Sequence, residues 1–460
     1  MKPKRKDPKP HGGSKATPSS KAATSTTANP SKWIRTERAF SLPDSVRRIY
    51  GRLDDAGFVT YVVGGSVRDF LLGRPIKDYD LVTHADPDQI CELFPDAITV
   101  GKAFGVIKVP VREPSGQEDR LVEVATFRED LEYRDHRHPI GVRFAGPEED
   151  ARRRDFTINA LFFDPKTSRI LDEVEGLQDL KAGILRAIGD PVARFKEDAL
   201  RLLRAVRFCT RFGFQLDADT EAAIRSKVRL AGKVSAERIR DELTWMVISP
   251  ASSAAVRMLD DLGLLAVVLP EARNGLPRSV RMFQALDRSE GAHRRTSTLG
   301  WAVLLQGLTH VAEQGGVAAL VHRVCEKVKL SRLDADRVAW LVAEHRKARE
   351  VYQMRESTLQ RFLSQEGIDD LLEMHRADAL ATDGNLVFHE YCLKRLSESR
   401  AAKAQGFDAR LLKGEDLVQL GLRPGPKFSE ILRVVEDLAL ERKLSTKEEA
   451  LEYVLKHFVS

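Results

Sequence analysis

The stretch that most constrains the fold of this chain is residues 61–80, YVVGGSVRDFLLGRPIKDYD. The pattern predicts a buried strand end, a double glycine, a short helix, a turn and a second strand that carries two aspartates. Gly64 and Gly65 let the backbone pass very close to a ligand. Ser66 is placed to cap the helix that follows, so that free N–H groups and the positive end of the helix dipole face an anion. The stretch therefore predicts a phosphate cradle.

Charged residues stand on both sides of this predicted cradle. Arg68, in the first turn of the helix, adds a positive charge suited to phosphate oxygens. Residues two apart on a strand point the same way, so Asp78 and Asp80 are predicted to share one face. Two carboxylates that close repel unless cations lie between them, and hard oxygen ligands suit magnesium. Gly-Gly or D-x-D alone is a weak signal, but their joint spacing predicts a site for nucleotidyl transfer.

The positive charge of the chain is concentrated at its beginning. The formal net charge is +6, while residues 1–33 alone hold eight Lys or Arg and one Asp. The remainder is therefore close to neutral, so any RNA-binding surface on it must be a local patch. The Gly-, Ser-, Thr- and Pro-rich composition predicts a disordered basic tail over 1–40. A solvated tail is favoured there over a required RNA-binding arm.

The cysteine pattern and the hydropathy exclude several classes of protein. The four cysteines lie far apart with no C-x-x-C pair, which argues against a zinc site and a disulfide framework and fits a reducing cytoplasm. No run of eighteen apolar residues is present, so no membrane partner is expected. The first residues lack the apolar segment of a secretory signal.

Four short apolar runs predict a small mixed sheet backed by helices. Glu123 lies on the last of these strands, between Val122 and Val124, and is either a third carboxylate beside the aspartates or an exposed strand residue. His136 and His138, in the polar segment that follows, have no standard metal spacing and are interpreted as loop residues. The predicted strands are 58–63, 77–82, 105–111 and 121–126.

A second charged constellation lies in residues 195–208, FKEDALRLLRAVRF. If this stretch is one helix, Asp198 and Arg201 are three residues apart and share a face, which Arg204 and Arg207 continue. Without other context such a stripe is usually a solvated helix face.

Together these blocks resemble the signature of the DNA polymerase β-like nucleotidyltransferases, and most closely the branch of bacterial tRNA CCA-adding enzymes and poly(A) polymerases. Besides 61–80, the similarity rests on EVATFR (123–128), on R-R-D-x-x-x-N-A (153–160) and on E-D-x-x-R (197–201). It covers about 40–245 strongly and 370–460 more loosely. It implies an α/β head with a small mixed sheet, followed by an all-α neck, body and tail.

The resemblance also implies a reaction and its residues. The 3′-hydroxyl of an RNA attacks the α-phosphate of CTP or ATP and expels pyrophosphate. Two Mg²⁺ ions held by Asp78 and Asp80 lower the pKa of the hydroxyl and neutralise the leaving group. The partners implied are tRNA, ATP and CTP, with no DNA. The implied catalytic residues are Asp78, Asp80 and Glu123, and the implied nucleotide-binding residues are Gly64, Gly65, Arg68, Arg154, Asp198, Arg201, Arg204 and Arg207.

By this resemblance Asp198 and Arg201 act as a protein template for the incoming base, and hydrogen-bond chemistry supports the role. Cytosine and adenine both present an amino donor beside a ring-nitrogen acceptor, whereas uracil and guanine present a carbonyl beside an N–H. A carboxylate only accepts and a guanidinium only donates. One fixed pair therefore accepts C and A and rejects U and G, whose mismatch costs several kcal/mol.

The helical remainder carries few readable motifs. His345 and His375 lack the paired ligands of a metal phosphohydrolase and are interpreted as structural. The C-terminal GEDLVQLGLRPGPKF resembles the family's tail, which grips the elbow of tRNA. The predicted domains are the basic tail 1–40, the head 41–165, the neck 166–245, the body 246–370 and the tRNA-binding tail 371–460.

Several functions stay open at this level. Within the family, full CCA addition, A-only addition and poly(A) synthesis compete, and VGKAFGVIKV (100–109) resembles the CCA-adding branch. The polar segment 127–144 counts against an enzyme that adds only cytidines. From other classes, a noncatalytic RNA-binding protein and a small-molecule nucleotidyltransferase are alternatives. The oligomeric state and the role of the basic tail are not specified.

Overall fold

The structure is a computed structural model, and it describes residues 32–36, 38–111, 120–131, 141–288, 295–310 and 316–459. Three sequence-based expectations fall partly or wholly outside these residues: disorder over 1–31, the polar loop after 111, and the loop that contains His136 and His138. No helix among the described residues is long and apolar enough to cross a membrane.

Eleven strands are present in the described part of the chain, and seven of them form one mixed sheet in the order β1-β9-β8-β2-β3-β5-β4. Within this seven-stranded sheet only β3 and β5 pair in parallel, and all other neighbouring strands are antiparallel. The strands are β1 (Trp33–Arg35), β2 (Thr60–Val63), β3 (Asp80–Thr83), β4 (Val106–Val111), β5 (Arg120–Thr126), β6 (Arg128–Asp130), β7 (Val142–Phe144), β8 (Leu161–Asp164), β9 (Arg169–Asp172), β10 (Ile184–Leu185) and β11 (Gln215–Leu216).

Short helices connect and back the strands, and the described chain after residue 190 is predominantly helical. The helices of the first half are α1 (Asp44–Asp55), α2 (Gly65–Leu71), α3 (Pro87–Leu93), α4 (Pro147–Arg152), α5 (Gly176–Ala182), α6 (Pro191–Glu197), α7 (Leu200–Phe212), α8 (Ala218–Lys227), α9 (Ala236–Val247) and α10 (Ser252–Asp261). Those of the second half are α11 (Leu264–Val268), α12 (Leu276–Asp287), α13 (Ser297–Leu305), α14 (Gly316–Lys327), α15 (Arg332–Glu344), α16 (Glu356–Leu363), α17 (Ile368–Leu380), α18 (Val387–Ala404), α19 (Gly414–Gln419), α20 (Pro426–Leu440) and α21 (Lys447–Phe458).

The predicted fold class, a mixed-sheet α/β head followed by helical segments, is confirmed. The sheet forms because its central strands are continuous apolar runs that can be buried on both faces, as in Val62-Val63 of β2 and Leu81-Val82 of β3. α1 closes one side with an apolar stripe at helical spacing, Val46, Ile49 and Leu53. The chemistry-bearing ends of β2 and β3 therefore sit on a rigid core.

The expectation of a disordered tail over 1–40 is wrong at its C-terminal end. Trp33–Arg35 forms β1 and pairs antiparallel with β9, with Ile34 opposite Ile170. The Trp33 ring packs edge-on against Tyr61, 5.5 Å between centroids, and Lys32 forms an ion pair with Glu173. These contacts order residues 33–35, although the composition of the segment alone did not indicate that it could bury enough apolar area. The sheet thus includes strands on both sides of the predicted head boundaries, 41 and 165.

The C-terminal helices α19–α21 have a small core of their own, which includes Leu417, Ile431 and Val454. The structure buries His345, His375 and Asp378 near one another. Burial lowers the pKa of both histidines to about 4, so both are neutral at physiological pH. A buried neutral cluster of this kind agrees with the structural interpretation of these histidines.

Candidate active site at the head–neck cleft

A cavity of about 500 Å³ lies between the sheet and the helices that follow it. The head contributes the start of α2 and the end of the turn before β3. The opposite wall comes from the second half of α7 and the end of α9. A larger space of about 860 Å³ lies between body and tail helices, but no residue of the head lines it. The lining of the 500 Å³ cavity includes Gly65, Arg68, Lys77, Asp78, Asp80, Arg207, Arg211, Trp245 and Arg295.

The two predicted carboxylates lie together in this cavity. Asp80 is the first residue of β3, opposite Val63 of β2. Asp78 precedes it by two residues and lies before the strand, so the prediction of one strand over 77–82 that carries both aspartates is wrong at its start. Burial, together with the negative charges of Glu123 and Asp78, raises the pKa of Asp80 to about 6, although Arg154 acts in the opposite direction. The site thus concentrates negative charge at the half-buried Asp80 and the exposed Asp78.

Glu123 lies beside this pair but is also engaged elsewhere. On β5 it stands opposite Asp80 on one side and opposite Lys108 of β4 on the other. Its Oε1 is 2.9 Å from the Lys108 Nζ, a contact that raises the pKa of the lysine. Glu123 is not part of the cavity lining. The structure therefore brings its charge close to Asp80 while pairing its carboxylate with a lysine.

The double glycine forms the turn into α2, as predicted, but Ser66 is not its cap. Gly64 is the N-cap, with φ 74° and ψ −128°, a conformation open to glycine and strained for other residues. A Cβ there would lie 3.4 Å from the Arg154 Nη1. The Ser66 Oγ instead donates to the Val63 carbonyl inside the first turn. The expectation failed because α2 begins at Gly65, two residues earlier than a helix capped by Ser66 would.

Arg68 lines the cavity, and its orientation is fixed by three partners. Its Nε and Nη2 donate to the Asp69 Oδ1 at 2.9 and 2.7 Å, and its Nη1 donates to the Asn159 Oδ1 at 2.5 Å. The guanidinium also lies 4.5 Å from the ring centroid of Phe212. Its charge is therefore partly compensated by Asp69, and its position leaves little rotamer entropy to be lost on binding an anion.

The R-R-D-x-x-x-N-A block places Arg154 on the far side of Gly64. Its Nε and Nη2 donate to the Asp150 Oδ2 at 3.0 and 2.8 Å. Asp155 accepts from Arg204 and from the Asn159 Nδ2, at 2.8 and 3.1 Å. Burial raises the pKa of Asp155, but Arg204 and the Asn159 hydrogen bond outweigh it and hold that pKa at about 2. Asp155 thereby ties the head to α7.

The prediction of one helix over 195–208 is wrong. α6 ends at Glu197, and Asp198 is extended, with φ −137° and ψ 105°. Its Oδ1 accepts from the Leu200 N–H at 3.0 Å, so the aspartate caps α7 instead of lying on it. Both carboxylate oxygens also accept from Arg238 of α9, at 3.0 and 2.8 Å. Local capping and this ion pair prevail over the helical periodicity that the stripe suggested.

Arg201 begins the stripe and lies apart from the cavity. Its Nη1 donates to Glu197 and to the Arg194 carbonyl, at 2.7 and 3.0 Å, and its Nη2 donates to the Arg153 carbonyl at 3.1 Å. The Arg201 N–H also donates to the Asp198 carbonyl, at 3.1 Å. The two predicted base-selecting residues are thus adjacent at the first turn of α7, though on a bend and not on one helix face.

The rest of the stripe divides between the cavity and the core of the neck. Arg207 lines the cavity, donates to the Glu242 Oε2 at 2.6 Å and lies 4.5 Å from the Phe208 ring centroid. Arg204 donates to the Asp155 carboxylate and does not line the cavity. Of the predicted nucleotide-binding residues, Gly65, Arg68 and Arg207 are therefore in the cavity with the two aspartates; Gly64, Arg154, Asp198, Arg201 and Arg204 surround it.

Comparison with known proteins identifies the family. A model described as the poly A polymerase head domain matches residues 60–186, and one described as the probable RNA and SrmB-binding site of polymerase A matches 213–276. The CCA-adding enzyme of Lactobacillus helveticus is 45% identical over 213 residues, 46% of this chain and about half (52%) of that enzyme. That of Lactobacillus johnsonii is 32% identical over 402 residues, 87% of this chain and 93% of that enzyme. The chain belongs to the CCA-adding enzyme family.

A solved member of the CCA-adding enzyme family has the same fold. The crystal structure of the Bacillus stearothermophilus CCA-adding enzyme in complex with CTP matches with a TM-score of 0.72 and 27% identity. The match covers 90% of this chain and 96% of that one. The similarity therefore extends through both the α/β part and the helical part of the chain.

CCA-adding enzymes are metal-dependent nucleotidyltransferases, and the residues around Asp80 suit a divalent cation. Within the described ranges, no three His, Cys, Asp or Glu side chains form a group that could hold a metal by themselves. Mg²⁺, however, is usually held by one or two carboxylates together with water and substrate phosphates. Asp78 and Asp80 supply such a pair, and a cation would offset the negative charge that, together with burial, raises the pKa of Asp80.

Several residues of this CCA-adding enzyme site were not found by sequence reasoning. Lys77 adjoins the aspartates, and Arg211 continues the arginine stripe by four residues, so spacing could have indicated both. Glu242, Trp245 and Arg295 come from elements far along the chain and carry no local signal. Arg238 of α9 is the partner of Asp198.

We expect Arg204→Ala to lower the free energy of unfolding by about 3 kcal/mol at pH 7, because it leaves the buried Asp155 carboxylate without its guanidinium. The folded-state pKa of Asp155, about 2, lies below its ordinary value of 3.8. The contribution of this pair is therefore full above about pH 4 and is lost as the pH falls from 4 toward 2. Urea titrations at pH 7 and pH 3 measure the difference.

Arg152→Ala is the matched control, because its ion pair with Glu148 is largely exposed. We expect it to cost no more than about 0.5 kcal/mol at either pH. Equal losses for the two variants, or a loss for Arg204→Ala that is as large at pH 3 as at pH 7, would contradict the assigned role of the Arg204–Asp155 pair.

Proposed function

We propose that this protein is a template-independent RNA 3′-nucleotidyltransferase that adds CCA, or its terminal A, to tRNA from CTP and ATP and releases pyrophosphate. The observation that carries the proposal is the pair Asp78 and Asp80, which line one cavity together with Arg68 and Arg207. Opposed carboxylates and guanidinium groups are what a metal-bound triphosphate requires. The full-length similarity to CCA-adding enzymes supports the choice of reaction.

Asp78 and Asp80 would hold Mg²⁺, with Glu123 as a further candidate that adds negative charge at Asp80. When bound, the metal lowers the pKa of the attacking 3′-hydroxyl and neutralises charge on the leaving pyrophosphate. The chain's own part is to orient the triphosphate. The Gly64-Gly65 turn leaves the first N–H groups of α2 open toward the cavity, and Arg68 and Arg207 supply fixed positive charge.

Base choice would fall to Asp198 and Arg201. A carboxylate offers about four acceptor positions, and Leu200 and Arg238 use three of them at Asp198, two on Oδ1 and one on Oδ2. The remaining position on Oδ2 suits the amino hydrogen of cytosine or adenine. Arg201 uses three of its five N–H groups in the hydrogen bonds described above, so donors remain for the ring nitrogen. Arg154 and Arg204 hold this region in place through Asp150 and Asp155.

The helical segments would bind the RNA. We propose a neck over 166–245, a body over 246–370 and a tail over 371–460 that contacts tRNA, with Arg423 and Lys427 around Gly425 facing its backbone. The match of 213–276 to a probable RNA-binding model supports an RNA contact near the neck. A cytoplasmic location is supported by four cysteines that are all free.

A second candidate function is poly(A) synthesis, because the model that matches the head is described as that of poly A polymerase. One assay separates the two. Each labelled NTP, singly and in pairs, is offered to tRNA ending before CCA, to tRNA ending in CC and to an unstructured RNA. We expect C and then a single A on the truncated tRNA, and almost nothing from UTP or GTP. Long A-tracts on every RNA would favour the second candidate, and equal use of all four bases would contradict the template role.

A further inference from the structure

Trp245 is an exposed aromatic residue on the wall of the cavity that holds Asp78 and Asp80. Its neighbours on α9 point inward: the Thr244 Oγ1 accepts from the buried Trp301, and Met246 is 1% exposed. Trp245 itself is 55% exposed. An isolated surface apolar residue needs no explanation, but this ring stands in a cavity whose other large side chains are mostly charged.

The segment that carries Trp245 is held rigidly. The Arg295 Nη1 donates to the Val247 and Ser249 carbonyls at 3.2 and 2.8 Å, and its Nη2 donates to the Asp287 Oδ1 at 3.0 Å. These bonds fix the end of α9 against α12. Glu242, one turn before Trp245, accepts from Arg207 and so fixes α9 against α7. The helix end that carries the indole is therefore held in place.

Trp245 lies on the side of the cavity away from the proposed base-selecting residues. Asp198 and Arg201 stand at the first turn of α7, whereas Trp245 shares the cavity wall with Thr210 and Arg211 at its last turn. Ten helical residues separate these positions by about 15 Å. Under the function proposed above, the incoming base lies toward the first turn of α7, so the last turn is left for the RNA that carries the attacking hydroxyl.

We propose that Trp245 stacks on a base at the 3′ end of the acceptor RNA and so positions its terminal hydroxyl toward Asp78 and Asp80; this rests on the function proposed above. The acceptor's last base changes at every addition, so its binding site must tolerate different bases. Stacking on an aromatic ring does so, because every base has a π-face, whereas hydrogen bonds to base edges would discriminate. Lys77, Arg211 and Arg295 in the same lining suit the adjoining phosphates.

The test compares Trp245→Ala and Trp245→Phe with the wild type, using tRNA ending in CC and ATP. For Trp245→Ala we expect the KM for tRNA to rise about tenfold, the size of one lost stacking contact, with the KM for ATP changed less than twofold. Trp245→Phe retains a ring and stays within about threefold. Tyr352→Ala, which removes an equally exposed ring in the body, is expected to behave as wild type. An unchanged KM for tRNA in Trp245→Ala would overturn the proposal.

A binding measurement keeps this inference separate from the proposed function. Tryptophan emission is recorded while tRNA ending in CC is added without nucleotide. We expect quenching in the wild type and in Tyr352→Ala, and much weaker quenching in Trp245→Phe. If the wild type adds no nucleotide, the proposed function fails, and the quenching alone decides the stacking role. Equal quenching in the wild type and Trp245→Phe would overturn that role even in an active enzyme.

Discussion

Asp80→Asn is expected to reduce the rate of nucleotide addition by at least about a thousandfold without disturbing the fold. Asparagine keeps the shape of aspartate but carries no charge, so the pair with Asp78 loses its hold on a cation. Losing that electrostatic stabilisation costs several kcal/mol in the transition state, and about 4 kcal/mol corresponds to a thousandfold. Single-turnover addition of labelled CTP to tRNA lacking CCA measures the rate, and Asp78→Asn tests the other carboxylate in the same way.

The fold should survive this change, because Asp80 is under charge repulsion in the folded protein. Burial and the charges of Glu123 and Asp78 raise its pKa to about 6, so removing its charge costs no stability at pH 7. Asp96→Asn, at an exposed position outside the cavity, is the control and should be fully active. Undiminished addition by Asp80→Asn would contradict the proposed site at its foundation.

Arg201→Ala is expected to reduce discrimination between ATP and GTP by about a hundredfold while changing the KM for tRNA less than threefold. The guanidinium would supply the donor that matches adenine or cytosine and opposes the N–H of guanine or uracil, and such mismatches are worth about 2–3 kcal/mol. The ratio of kcat/KM for the two nucleotides on tRNA ending in CC measures the effect.

Arg225→Ala provides a matched control for Arg201→Ala. Arg201 pairs with Glu197 and Arg225 pairs with Glu221, in each case a glutamate four residues earlier. Each arginine also donates to a backbone carbonyl. Only Arg201 lies beside Asp198. We expect Arg225→Ala to keep the wild-type preference for ATP. A loss of preference as large as that of Arg201→Ala would show a general effect of losing an Arg–Glu pair and would contradict the template role.

The sequence predicted those parts of the site that are local in the chain. β2, the glycine turn, α2 and the start of β3 follow one another in this stretch, so propensity and spacing were enough to bring Asp78 and Asp80 together. The period-2 argument for a shared strand face does not apply, because β3 begins only at Asp80. Glu123 was also placed correctly on a strand. Its registration opposite both Asp80 and Lys108 depends on sheet order, which no local pattern gives.

The misplaced parts depend on partners distant in sequence. Asp198 falls on a helical stripe by spacing, yet in the structure it caps α7 and binds Arg238, forty residues later. Trp245 enters the cavity because α9 packs along α7. Arg295 enters it because its side chain donates to backbone carbonyls at the end of α9. Trp33 was assigned to a disordered tail because its partner Tyr61 lies beyond any local window.

The most direct test of the proposed chemistry is to locate the metal. Crystals of the enzyme with Mn²⁺ and a CTP analogue that cannot be cleaved at its α-phosphate would give an anomalous signal at each bound ion. The expected result is a signal within bonding distance of carboxylate oxygens of Asp78 and Asp80 and of the triphosphate, and none there in Asp80→Asn. A nucleotide-dependent metal bound elsewhere, with both aspartates uncoordinated, would contradict the central claim.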